Sequence, residues 1–427
     1  MSQSARAVAF AAVRRVVEEG GYSTIVVPNA LRRSSLDVRD RAFAADLAYG
    51  TIRRVRSLDW AIEQRSTRPV ARMSPVARDV LRLGAYQLLF TGAAPHAAVG
   101  ETVSLAAPKE RGFVNAILRT LSSDPPAWPV GDGDADVAVR TGMRPWAVTE
   151  LRRLVGDQAP EAAAALAAHG LLCLRVNTRL TTVEAMEAAL GGTDRTVTRA
   201  PLDPTCLLVD GGDPASFPGF EEGWFAIQDQ ASAFVVRALD PRPGERVLDA
   251  CAAPGGKAHY VAGLVGDDGL VVAADLHRQR AGMIRRGAER LRVRVETLAQ
   301  DAAAPAIRGP FDRVLVDAPC SGIGSARRRP ELLWRPNKDT LSQLARLQVA
   351  IASASAELVR PGGRLVYSVC TFPRAETDAA CDAILRHRPE LAPIEIEGPD
   401  GRAERVRIWP HRHGADGMFV AAFERRS

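Results

Sequence analysis

From Gln228 onward the sequence alternates between short apolar runs and amphipathic stretches, and this alternation constrains the fold more than any other feature of the chain. RVLDACA, LVVAAD, VRVETLAQD, DRVLVDAP and RLVYSVC read as strands, with helical sequence such as HRQRAGMIRRGAERL between most of them. Strands joined by crossover helices pair in parallel. The pattern therefore predicts a doubly wound, Rossmann-like α/β sheet whose ligands collect at the carboxyl ends of its strands.

The upstream sequence has a different period. Residues 1 to about 121 carry apolar side chains at three- and four-residue spacing, broken at Pro and Gly, which predicts an α-helical domain with its own core. SSDPPAWPVGDGDADVA, from Ser122, is rich in Pro, Gly and Asp and reads as a linker. The expected organisation is a helical domain over 1–125, a linker over 126–140, a helical and small α+β insert over 141–227, and the α/β domain over 228–427.

Composition removes several classes of function. With 46% hydrophobic and 25% charged residues the chain is a folded globular protein, and no apolar run reaches membrane-spanning length. Arg14, Arg15, Glu18 and Glu19 interrupt the first apolar stretch, so it predicts an amphipathic helix rather than a secretion signal, and a cytoplasmic protein with no membrane partner. The net charge of +6 is only a weak pointer to a polyanion. Lysine occurs at Lys109, Lys257 and Lys338 alone, every other basic position being Arg, which singles out Lys257 inside a glycine-rich motif. None of the six cysteines forms a C-x-x-C pair and the histidines have no zinc spacing, so free thiols and no metal are expected.

Three segments carry chemistry. Asp249-Ala-Cys-Ala-Ala-Pro-Gly-Gly-Lys257 lies between a strand and a helix, where small residues let a ligand approach the backbone and the helix start offers free N–H groups. It is neither G-x-G-x-x-G nor a P-loop, which argues against a dinucleotide oxidoreductase. Asp275 ends the next strand, placed for ribose hydroxyls, and Asp301 the one after, placed for an adenine amino group. Asp317-Ala-Pro-Cys320-Ser-Gly forms the second segment, followed by Arg327, Arg328, Arg329 and Trp334, which suit RNA phosphate and base stacking or, equally, a solvated charge run. Tyr367-Ser-Val-Cys370-Thr-Phe-Pro373 is the third. Both cysteines fall on the ligand rim of the sheet, and spacing does not say which one attacks.

DACAAPGGK, DAPCSG and YSVCT together resemble the motifs of the RsmB/Sun (Fmu) family of 16S rRNA cytosine-C5 methyltransferases, and the helical amino-terminal part resembles NusB. The likeness extends to Arg175-Val-Asn177, to IQD before the sheet and to WPHRHGADG near the end. Val369, the PRAET segment and Met418 depart from the family's usual residues, with Glu376 in PRAET left as the matching acid. The resemblance implies S-adenosylmethionine held by Cys251, Ala252, Ala253, Pro254, Gly255, Gly256, Lys257, Asp275, Asp301 and Asp317. It implies Cys370 as nucleophile on cytosine C6, Cys320 as the group that removes the C5 proton and releases the enzyme, and Asp317 on the base edge. It further implies ribosomal RNA as partner, Arg175 and Asn177 near it, and a monomer. A non-catalytic NusB-like RNA-binding factor is the reading of another class; it predicts a degenerate loop or missing cysteines, and the sequence has both intact. A tRNA or another rRNA is the alternative substrate.

Overall fold

In the computed structural model, which describes residues 4–192 and 195–426, the amino-terminal sequence forms helices α1 (Ala5–Val17), α2 (Ser23–Arg32), α3 (Val38–Arg53), α4 (Val55–Glu63), α5 (Pro75–Phe90), α6 (Pro95–Val103) and α7 (Arg111–Ser123). Their starts obey local rules. The Ser4 and Asp37 side chains accept from the first-turn N–H groups of α1 and α3, and Ser74 caps α5 with Pro75 at its first position. One face of α1, with Val8, Ala12, Val13 and Val16, is buried, as are Leu47, Ile52, Leu58, Ile62, Leu81 and Leu118.

The Pro- and Gly-rich stretch becomes helical sooner than its composition suggests. After coil from Asp124, α8 spans Asp134–Thr141, with Asp134 and Asp136 in its first turn and Gly142 in the left-handed region (φ 75°) closing it. Helices α9 (Pro145–Val155) and α10 (Ala159–Ala167) follow. These pack with the amino-terminal helices: Ser57 Oγ donates to Val139 O, and the Arg54 and Arg56 guanidiniums donate to Arg140 O and Met143 O. One unit of the chain thus runs to Ala168 and also takes in Ala326–Pro336, a later segment. The expectation that 141–167 stands with the small α+β insert differs from this grouping because α8 and α9 bury Val137, Val148 and Leu151 on the helical side.

The second unit holds His169–Ser325 and the chain from Asn337 onward. Its smaller sheet is antiparallel, ordered β2-β3-β1-β4, from β1 (Leu172–Val176), β2 (Val197–Arg199), β3 (Cys206–Val209) and β4 (Phe225–Ile227), with α11 (Val183–Gly191) between β1 and β2. After α12 (Gln230–Leu239) the alternation begins: β5 (Arg246–Asp249), α13 (Gly256–Val265), β6 (Leu270–Asp275), α14 (Arg278–Leu291), β7 (Glu296–Ala299), β8 (Phe311–Asp317), α15 (Lys338–Ala356), β9 (Val359–Val369) and α16 (Asp378–His387). Strands β10 (Leu391–Ile394), β11 (Ile396–Gly398), β12 (Gly401–Ala403), β13 (Arg405–Ile408), helix α17 (Pro410–His413) and β14 (Met418–Arg425) complete it, β11 and β12 forming a separate hairpin.

The large sheet is ordered β10-β14-β9-β8-β5-β6-β7 with β13 beside β14. Its β9-β8-β5-β6-β7 run is parallel, and β14 pairs antiparallel with β9. The chain builds outward from β5 to β7 and then returns to β8 on β5's other side. The carboxyl ends of β5 and β8 therefore flank a topological switch point, where open α/β sheets bind ligands.

Candidate active site

The loop after β5 is tightly drawn. Ala252 N–H donates to Ala274 O at the end of β6 (2.8 Å), and Gly255 N–H donates to Ala252 O (2.7 Å). Gly255 has φ +112°, and a Cβ there would meet the His259 ring at 2.6 Å and the Ile284 backbone at 3.2 Å, so this position requires glycine. Lys257, in the first turn of α13, reaches across to β8, its Nζ 2.7 Å from Asp317 Oδ2. The β8–β9 register sets Ser368 opposite Asp317, and the Ser368 hydroxyl donates to Asp317 Oδ1 (2.8 Å). Both oxygens of Asp317 are thereby engaged. Burial works to lower the Lys257 pKa and the Asp317 carboxylate to raise it; the carboxylate wins, so the lysine stays charged.

Cys320 lies just past β8 and Cys370 just past β9, and their Sγ atoms are 3.5 Å apart. The hydrogen bond to Cys370, and then burial, push the Cys320 thiol well above its ordinary range, so Cys320 holds its proton near neutral pH. Behind them, Gly324 N–H donates to Cys370 O (3.0 Å) and Gly417 N–H to Gly324 O (2.8 Å). The WPHRHGADG segment thus backs the cysteine loops. Burial likewise raises the pKa of the Cys251 thiol, in the loop after β5.

Asp275 is buried at the end of β6; its Oδ1 accepts from His277 N–H, and Arg280 lies 3.4 Å from its Oδ2. Asp301 is exposed, two residues beyond β7, with Oδ1 accepting from Ala303 N–H. Asp249 is 1% exposed and neither carboxylate oxygen has a well-formed hydrogen bond, the Cys251 N–H giving only weak support. Burial, then the neighbouring Asp317, push its pKa up to about 7. The Lys257 ammonium, hydrogen-bonded to Asp317, offsets this only in part.

The other expected residues lie elsewhere. Arg175 is buried, its guanidinium 4.4 Å over the Tyr260 ring and its Nε donating to Gln228 Oε1 (2.7 Å). Asn177, also buried, donates from Nδ2 to Gly223 O and Leu291 O. Both brace the small sheet against the α/β core and are almost wholly buried there, where the expectation had them near RNA. The Arg327–Trp334 stretch belongs to the helical unit. The Trp334 indole N–H donates to Ile52 O (2.8 Å), Arg53 donates to Arg327 O, and Arg329 stacks 5.0 Å over Tyr22. Glu331, fully buried, accepts from both the N–H and the hydroxyl of Ser23. Of the three arginines only Arg328 is exposed. Ser368, bonded to Asp317, is the residue the motif reading passed over; its signal was its place two residues before Cys370 on a predicted strand.

Comparison with known proteins agrees with this architecture. The family model for 16S rRNA methyltransferase RsmB/F matches residues 236–424, the NusB family matches 3–123, and the ferredoxin-like domain of RsmF/B-like methyltransferases matches 145–215. A probable ribosomal RNA small subunit methyltransferase B of Synechocystis is 33% identical over 98% of this chain and 98% of its own. The Bacillus subtilis counterpart is 32% identical, with 99% of each chain covered. The crystal structure of PH0851 matches with a TM-score of 0.86 at 25% identity, covering 100% of this chain and 99% of that one. A methyltransferase homologue from Pyrococcus horikoshii covers 69% of this chain and all of its own, with a TM-score of 0.59 and 28% identity. With a NusB domain followed by a methyltransferase domain, and relatives alike along almost its whole length, the chain belongs to the RsmB/F family of 16S rRNA methyltransferases.

Proposed function

We propose that this protein transfers the methyl group of S-adenosylmethionine to C5 of a cytosine in 16S ribosomal RNA, through a covalent adduct between Cys370 and C6 of the base, with residues 228–427 as the catalytic domain. The observation that carries the reading is the pair of thiols 3.5 Å apart beside the Lys257–Asp317–Ser368 group at the switch point.

The residues suit the cofactor. The small-residue loop over Cys251–Lys257 leaves backbone open to a ligand, Asp275 offers carboxylate oxygens at the end of β6, and the poorly satisfied Asp249 carboxylate beneath the loop matches a ligand that brings positive charge. When bound, S-adenosylmethionine supplies an electrophilic methyl group on a sulfonium. Cytosine C5 is a weak nucleophile towards it. Addition of the Cys370 thiolate to C6 forms a C–S bond, moves the ring electrons toward N3 and leaves an enamine whose C5 accepts the methyl. Asp317, held by Lys257 and Ser368, is placed to hydrogen-bond the N3/N4 edge of the base and stabilise its protonated form during addition. Once Cys370 is bonded to C6, the thiol hydrogen bond that chiefly raises Cys320 is gone. Cys320 gives its proton to water and, as thiolate, takes the C5 proton; the C6–S bond breaks and the C5=C6 bond returns. The target base has to leave its stack to reach these groups.

The test is incorporation of labelled methyl into unmodified 16S rRNA, and into tRNA, by wild type, Cys370→Ala and Cys320→Ala, with denaturing gels alongside. The wild type labels a 16S cytosine at C5, Cys370→Ala falls by on the order of 10⁴-fold or more, and Cys320→Ala accumulates a covalent protein–RNA band. Full activity in Cys370→Ala sinks the mechanism, and labelling of tRNA alone sinks the substrate.

A further inference from the structure

Beneath the two cysteine loops lies a buried network that the reaction scheme leaves unused. Glu376 ends a short turn at Arg374–Glu376 and is 0% exposed. Its Oε1 accepts from Ser321 N–H (2.8 Å) and from Gln348 Nε2 (2.9 Å), and its Oε2 accepts from the Ser321 hydroxyl (2.5 Å). Ser321 directly follows Cys320. Its hydroxyl is also 2.7 Å from that of Thr371, which directly follows Cys370. Gln348, on α15, donates as well to Pro319 O on the other side of Cys320 (2.9 Å), and the Tyr367 hydroxyl, from β9, donates to Glu376 O (2.7 Å). One carboxylate therefore holds the backbone on both sides of Cys320, directly and through Gln348, and reaches the loop of Cys370 through a hydroxyl pair.

We propose that Glu376 is a positioning residue whose buried carboxylate clasps the loops bearing Cys320 and Cys370 and so sets the distance between the two thiols. The proposal rests on reading those thiols as the reacting groups. Every partner of the carboxylate oxygens is a donor, so the clasp is built around the ionised form, and these hydrogen bonds oppose the rise in pKa that burial imposes. The proton inventory also says which substitution keeps it. In Glu376→Gln the amide oxygen can take the place of Oε1 and keep both N–H donors. The amide nitrogen then stands at Oε2 and donates to Ser321 Oγ, whose own proton turns to Thr371. In Glu376→Ala all three donors lose their acceptor.

The thiol separation can be read without any substrate. Treatment of the full-length protein with diamide joins Cys320 to Cys370, two thiols giving up two protons and two electrons to the azo bond, and the linked peptides are timed by mass spectrometry. Wild type and Glu376→Gln are expected to close at rates within about threefold, and Glu376→Ala about tenfold more slowly. In methyl transfer, Glu376→Ala is expected to lose about 10²-fold in kcat with KM for S-adenosylmethionine unchanged, and Glu376→Gln to restore most of it. Thermal melts identify a variant that has not folded. Should Glu376→Ala be one, Ser321→Ala removes only the link to Oε2 and Thr371, and it is expected to slow closure about threefold. A folded Glu376→Ala or Ser321→Ala that closes at the wild-type rate overturns the clasp. So does a Glu376→Gln as impaired as Glu376→Ala. A wild type that labels no RNA defeats the functional reading instead, and thiol closure still decides the clasp.

Discussion

Two stretches only a few residues apart in the chain, Asp317–Cys320 and Arg327–Trp334, both read as functional and meet different fates. The first is delivered by β8 to the switch point, where Lys257, Ser368 and Cys370 converge on it. The second is absorbed by the helical unit, with the Trp334 indole on Ile52 O, Arg329 over Tyr22 and Glu331 on Ser23. Strand ends are gathered by the register of the sheet, whatever side chains they bear. The fate of a charged run depends on which carbonyls and rings it meets, and arginine satisfies a protein carbonyl as well as it does a phosphate.

The strongest way to break this contrast is at Lys257. Lys257→Met leaves Asp317 without its cation, and methyl transfer is expected to fall by about 10²- to 10³-fold. An unchanged rate would detach the Lys257–Asp317 pair from the chemistry.

Next in size is a stability effect. Asp249 titrates at about 7 in the fold against 3.8 ordinarily. A raised folded value means its contribution is fully present below the lower figure and is lost as pH rises through the upper one. Asp249→Asn should therefore gain on wild type by a few kcal/mol between about pH 4 and pH 7 in denaturant titrations without ligand. Buried His259, lowered to about 4 chiefly by burial, has the opposite slope in both proteins and drops out of the difference. Parallel curves would show that Asp249 is no stressed carboxylate.

Smaller again is Trp334→Ala, expected to lower stability by about 2 kcal/mol through lost packing and the indole hydrogen bond, seen as a lower Tm, with RNA affinity of the folded protein unchanged. An affinity loss without a Tm shift would return this segment to the RNA surface. Arg328→Ala, at the exposed arginine, should move Tm by no more than about 0.5 kcal/mol equivalent. If it touches phosphate, the salt slope of RNA binding falls by about one.

Much of this was legible in the sequence because it depends on short-range pattern. The strands from RVLDACA to RLVYSVC, the glycine loop and the acidic strand ends each announce themselves within a dozen residues. What depended on pairing over long separations was not legible. Nothing local says that β8 and β9 adjoin with Asp317 opposite Ser368, and the 3.5 Å between Cys320 and Cys370 follows from that register. The same limit hid β14, whose partner is β9, and the inward turn of Arg175, whose partners Gln228 and Tyr260 lie far along the chain. Helix α8 was masked by the Pro and Gly residues before it, although its two first-turn aspartates and buried Val137 and Ala138 are ordinary helix signals.

The discontinuous make-up of the helical unit has a consequence for biosynthesis. Its final piece, Ala326–Pro336, supplies the acceptor for the buried N–H and hydroxyl of Ser23 and the indole that seals Ile52 O. A ribosome translating this message releases the first ten helices long before that piece exists. The nascent amino-terminal bundle must wait with Ser23 and Ile52 unsatisfied, and it reaches its native closure only after four of the large sheet's eight strands, β5 to β8, have been made.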